Sequence, residues 1–224
     1  MFAHPGQEIP LGLASQYFQY LPNQGWGPLQ TGKCLMSRPG YVGLVTTQTC
    51  YAGGVCEYTC LFTFDWEGTF LSKIPLEQTV GDCGFLYQHT LVYQSDSLLI
   101  VFEKDEDHSC EDEVVIEQAL TLTFHPLGSD GRAGKTYWQK IDPRRKYYMF
   151  SCQLSSLAAL RAFSPETRLL IRQEILAAHG YTFREAEWQA YFTDQAWYVP
   201  LHEAVTHLLS PIERHNLDLI SQLE

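Results

Sequence analysis

The feature that most constrains this 224-residue chain is a change of hydrophobic period near residue 150. Before it, short runs alternate apolar with polar residues, as strands with one covered face require. After it, apolar residues recur at spacings of three and four, which places them on one face of a helix. Cys60-Leu61-Phe62-Thr63-Phe64 stops at the turn signal Asp65-Trp66-Glu67-Gly68, and residues 69–74 return. Residues 85–93 and 98–103 flank Gln94-Ser95-Asp96-Ser97. Residues 114–125 alternate around Ile116, Leu120, Leu122 and Phe124, and residues 135–141 return after a Gly-rich loop. A last strand is expected at residues 147–150, after the turn Asp142-Pro143-Arg144-Arg145-Lys146. About eight short strands with short connections predict an antiparallel β-meander, either a curved sheet or a barrel.

Helix starts are written into the C-terminal part. Ser164-Pro165 and Ser210-Pro211 each place a capping hydroxyl before a proline at the first helical position. Leu169, Leu170, Ile171, Ile175 and Ala178 make the stripe of the first helix, and Gly180 sits where a left-handed residue ends it. Thr182 and Glu185 have capping-box spacing for a further helix running to about Phe192. The expected organisation is α+β: a β-rich domain over residues 1–151, beginning with an irregular arm, and a small helical domain over 152–224. The arm is broken by Pro5, Pro10, Pro22, Pro28 and Pro39, and residues 16–20 in it read as one short strand or turn.

A phosphate backbone calls for a strongly basic surface, and a formal charge of −11 argues against one, so nucleic acid is not expected as a partner. No apolar run approaches the ~20 residues of a membrane helix. No signal peptide is visible at Met1-Phe2-Ala3-His4-Pro5-Gly6. Seven cysteines, an odd number, leave at least one unpaired within the chain. A hairpin with its loop at Ala52-Gly53-Gly54 sets Cys50 opposite Cys56, close enough for a disulfide in a non-hydrogen-bonded pair.

Catalytic and metal signals are weak. His202-Glu203 and His207 are five apart, so on a helix the two imidazoles diverge instead of sharing the face a zinc protease needs. The acidic segment 103–117 lacks the glycine of a calcium loop and reads as a solvated hairpin loop. No Gly-x-Ser-x-Gly, P-loop or dinucleotide fingerprint is present, and Cys152 lies in no papain-like signature. Neither a metal nor a cofactor is therefore expected.

The spaced set Arg172, Glu174, Ile175, Ala177, His179-Gly180-Tyr181, Phe183, Tyr191-Phe192, Trp197-Tyr198, Pro200, Glu213, Asn216 and Ile220 resembles the YARHG domain of bacterial proteins. The resemblance covers roughly residues 160–224. Leu176 stands where that family has Tyr, and Ala178 where it has Arg. It implies an extracellular or envelope setting, with peptidoglycan or another envelope protein as partner. A cytoplasmic protein is the competing reading. Arg172, Glu174, His179, Gly180, Phe183 and Asn216 are expected to be structural. Tyr181, Trp197 and Tyr198 are the binding candidates, because Pro200 leaves the two aromatics on a connecting segment. The alternative for Trp197 is that it turns inward as the plug of the unit. The functional expectation is a non-enzymatic binding protein. The alternatives are a carrier of a small apolar ligand inside the β domain and a hydrolase-associated module.

Overall fold

The computed structural model describes residues 6–18, 27–49, 55–111 and 114–224. Two compact units divide the chain, Met1–Lys140 and Ile141–Glu224. The first carries helix α1 (Leu11–Tyr17) and strands β1 (Gln30–Arg38), β2 (Tyr41–Thr49), β3 (Val55–Phe64), β4 (Phe70–Asp82), β5 (Phe85–Gln94), β6 (Leu98–His108), β7 (Val115–Pro126) and, at its end, β8 (Tyr137–Ile141). The second carries α2 (Met149–Cys152), α3 (Leu157–Arg161), α4 (Pro165–Ala178), α5 (Ala186–Thr193) and α6 (Pro211–Ser221).

The eight strands form one sheet in sequence order, the meander that the alternation predicts. The ladders of β1 to β7 are antiparallel throughout. The sheet is not closed, so of the two forms left open by the sequence it is the open one. Strand β3 explains the run of Cys60, Leu61, Phe62 and Phe64 at its end, which only Thr63 interrupts. Leu61 packs with Tyr41, Ile74, Leu76 and Leu99 in one core cluster. Cys60, Phe62 and Phe64 pack with Ala14 and Phe18 in another. A strand covered on both faces has no polar side to show. Phe18 meets Phe62 and Phe64 edge-on, at centroid distances of 5.1 and 5.4 Å.

Tyr41 needs a glycine opposite it. At Gly131, with φ +80°, an added Cβ would lie 2.5 Å from the Tyr41 ring. The Gly131 carbonyl then accepts the Thr63 hydroxyl at 2.6 Å.

In the second unit Ser164 accepts from the Thr167 N–H and Pro165 opens α4. Ser210 and Glu213 make a reciprocal capping box at α6. Leu160, Ile171, Ile175, Leu209 and Ile220 form the core beneath.

Four local expectations are corrected. Residues 11–17 form a helix after Pro10, where a short strand or turn was expected around residues 16–18; positions 19 and 20 lie outside the described residues. Residues 149–152 are helical instead of a last strand, because side chains from α4 and α6 take up the local backbone groups: Glu174 accepts the Tyr147 N–H and Asn216 donates to the Phe150 carbonyl. The Thr182–Glu185 capping box does not form. The Thr182 N–H donates to the His202 carbonyl at 2.8 Å, and Glu185 itself is the N-cap of α5 without a side-chain bond. The acidic segment is also more ordered than a solvated loop: Glu103 to Asp107 belong to β6, and Glu106 is buried beside Lys104 and Gln118.

Cys83, between β4 and β5, is disulfide-bonded to Cys110, just beyond β6, with Cα atoms 5.1 Å apart. The pairing of Cys50 with Cys56 falls on Cys50, outside the described residues, although Cys56 is disulfide-bonded. Cys60 and Cys152 are free and buried. Among the described residues no helix is long and apolar enough to cross a membrane.

The Cys83–Cys110 bridge closes a loop with a sequence separation of 27 residues. Its loss, in a double Cys83→Ser, Cys110→Ser variant, should cost about 3 kcal/mol. Thermal denaturation should then show a melting point lower by roughly 6–12 °C.

Candidate functional site

The C-terminal unit is built on Gly180 and Glu213. Gly180 follows α4 with φ +73°, the left-handed conformation that terminates a helix. Its carbonyl accepts the N–H groups of Leu201 and His202 at 2.8 and 2.9 Å. Tyr181 and His202 form a parallel bridge. A Cβ at Gly180 would lie 2.9 Å from the Val199 carbonyl and 3.1 Å from the Leu201 Cβ. The helix stop thus doubles as a clamp on the segment 197–202.

Aromatic rings hold the same segment from beneath. Phe183 stacks on Phe192 at 4.9 Å, and Tyr198 packs against both. Of the three sequence-chosen binding residues, Tyr198 is buried and donates its hydroxyl to the Tyr181 carbonyl at 2.7 Å. Tyr181 and Trp197 are half-buried. The Arg145 guanidinium lies over the Trp197 ring, 5.9 Å from its centroid, so one ring face is already occupied. What the segment offers to solvent is aliphatic: Val199 is 57% exposed and Leu201 67%.

The polar residues of the motif are mostly internal. The Glu213 side chain accepts the Ser210 N–H at 2.9 Å and stands 2.8 Å from His179 Nε2. One fully buried carboxylate therefore caps α6 and anchors the end of α4. Burial pushes its pKa up. The hydrogen bond and charge of His179, with the Ser210 N–H and the Ser151 hydroxyl, outweigh burial and hold the carboxyl below its ordinary value. Glu174, also buried, accepts the Tyr147 N–H at 2.8 Å and faces Arg145 at 3.6 Å. Burial, opposed by Arg145, leaves its pKa raised. Asn216 makes three hydrogen bonds, donating to the Phe150 and Gln153 carbonyls and accepting from the Ser155 N–H. Phe183 is in the core, whereas Arg172 makes a surface ion pair with Glu224.

Sequence reading missed Arg145 and Ser151. Arg145 is 4% exposed and donates to the Ser151 hydroxyl at 2.9 Å. The available signal lay on α6: Glu213 and Asn216 share a helix face with Ile212 and Ile220, and polar residues on an apolar stripe need buried partners. Ser151 and Cys152 are sealed from solvent, and burial pushes the Cys152 thiol up to about 12. Neither is placed to attack a substrate in this arrangement.

Residues 148–224 match the YARHG domain. The match covers the last third of the chain, and no family matches the region before it. No curated protein and no solved structure matches the chain. At the family's two departing positions, Leu176 packs into both core clusters of the unit, and Ala178 is half-buried on α4.

Two measurements follow. An ionised Glu213 with a depressed pKa stabilises the fold above the unfolded carboxyl value of about 4.5, and that contribution is lost as pH falls through the folded value. Glu213→Gln should cost about 2 kcal/mol at pH 7 in urea unfolding. The gap between wild type and variant should close below about pH 4.5. Glu174, shifted the other way, gains a proton more readily when folded, so this difference and not the wild-type curve alone reports Glu213. Gly180→Val should cost at least about 2 kcal/mol through left-handed strain. It should also speed hydrogen exchange at the amides of Leu201 and His202.

Proposed function

We propose that this protein is a non-enzymatic binding protein of the bacterial envelope or secreted fraction, and that its C-terminal unit holds the cell wall or a surface protein through the segment 197–202. The observation that carries this reading is the exposure of Val199 and Leu201 on a backbone that the Gly180 carbonyl and the Thr182 N–H pin on either side of the Tyr181–His202 bridge. Side chains that contribute to a fold are covered. Exposed aliphatics on a rigid connection are the pattern of a preformed contact surface. The YARHG match supports an envelope setting, and the Cys83–Cys110 disulfide fits an oxidising compartment.

The chemistry of the segment also narrows the contact. A sugar ring stacks best on a bare aromatic face, and Trp197 has one face under Arg145 while Tyr198 is inside. Val199 and Leu201 favour apolar groups on the partner, such as the peptide stems of the cell wall or a protein surface.

Co-sedimentation of the full chain with purified peptidoglycan tests this. Wild type should pellet, and the double variant Val199→Ser, Leu201→Ser should stay in the supernatant. Its melting point should move by no more than about 1–2 °C, because both side chains are exposed. Trp197→Ala, by contrast, should lower the melting point by several degrees, since the ring is half-buried among aromatics. Equal pelleting of wild type and the double variant removes this segment from the function.

A further inference from the structure

The first unit carries a feature that the C-terminal reading does not use. A groove of about 530 Å³ opens where α1 meets the β2 and β3 side of the sheet. Leu44 and Phe64 are among its apolar lining, and Tyr17, Trp66, Asp65 and Glu67 line it as well. Phe64 is buried, Leu44 half-buried, and Tyr17 and Trp66 are 37% and 59% exposed.

Trp66 is fixed despite its exposure. Its indole N–H donates to the carbonyls of Pro39 and Arg38, at 2.9 and 3.2 Å. Its turn is closed by the Gly68 N–H on the Asp65 carbonyl and by the Thr69 N–H on the Asp65 carboxylate, with Gly68 at φ +86°. A large ring held in one orientation toward solvent is preorganised for a ligand. Charge adds the second constraint. Two carboxylates line the groove, and no Lys or Arg does among the described residues. The nearby cations are engaged: Arg38 pairs with Asp96, and Lys73 lies over the rings of Tyr58 and Phe62. The Thr69 N–H holds the Asp65 carboxyl below its usual value, so the charge persists at neutral pH.

We propose that this groove binds an amphipathic organic cation. The apolar chain lies against Leu44 and Phe64, and the ammonium head meets Trp66, Tyr17, Asp65 and Glu67. Aromatic faces carry negative potential and attract a cation, most strongly on Trp. A neutral apolar ligand would cover the carboxylates with nothing to replace their hydration. An anion would be repelled by both. The site is independent of the segment 197–202.

Calorimetric titration of the full chain with hexyltrimethylammonium, 1-hexanol and hexanoate decides the matter, since all three share one chain length and none needs a micelle. The cation should bind saturably and more tightly than hexanol, and hexanoate should not bind. Trp66→Ala should weaken the cation about fivefold. Glu67→Gln, at an exposed position that leaves the turn intact, should weaken it about threefold and leave hexanol unchanged. The Val199→Ser, Leu201→Ser variant should bind the cation as wild type does. Hexanol binding as tightly as the cation makes the groove a merely apolar site and overturns the proposal. So does a Glu67→Gln protein with unchanged cation affinity, or the absence of saturable cation binding.

Discussion

Glu213 is an ionised carboxylate without contact to water, and the C-terminal unit is arranged to make that tolerable. A buried charge is sustained only by partners with good geometry. Here they come from two directions: the Ser210 N–H within its own capping box and His179 from the end of α4. The same residue therefore fixes the start of one helix and its position against another. Asn216, one turn further on, does the equivalent for the end of α2 by taking two carbonyls and giving an acceptor to Ser155. A face of α6 that would otherwise be only apolar acquires register, because Glu213 and Asn216 each bond to specific partners on neighbouring segments.

The clamp at Gly180 is the second consequence. Once α4 ends beside α6, the chain must leave in a left-handed conformation. The close approach of Val199 and Leu201 also leaves no room for a side chain there. The outward presentation of those two residues is thus set from beneath, by Gly180 and by the Phe183–Phe192–Tyr198 stack. The sheet unit uses apolar cover for the same end. The last six residues of β3 are buried on both faces, so the turn that follows emerges from a packed base and holds Trp66 in the open.

Strands and helix starts were legible because their causes are local. Alternation reports which face of a strand is covered, and a capping Ser reports an N–H three residues away. The order β1 to β8 follows from short connections, which leave neighbours in sequence little choice but to pair. Where local patterns were misread, a distant group had intervened. Residues 147–150 read as a strand, and Thr182 read as a cap; partners from Glu174, Asn216 and His202 decided otherwise.

The sequence by itself determined the α+β order, the meander, the helix caps at Ser164 and Ser210, and the glycine stop at residue 180. Tertiary structure alone decided that Arg145, Ser151, Glu174 and Glu213 are internal, that Tyr198 turns inward while Leu201 turns out, and that the sheet stays open. The reason is physical. Periodicity records how one element is covered, and it is the same for an open sheet and a closed one. Whether a polar side chain is buried depends on a partner such as His179 for Glu213, 34 residues away in the chain and unmarked by any spacing.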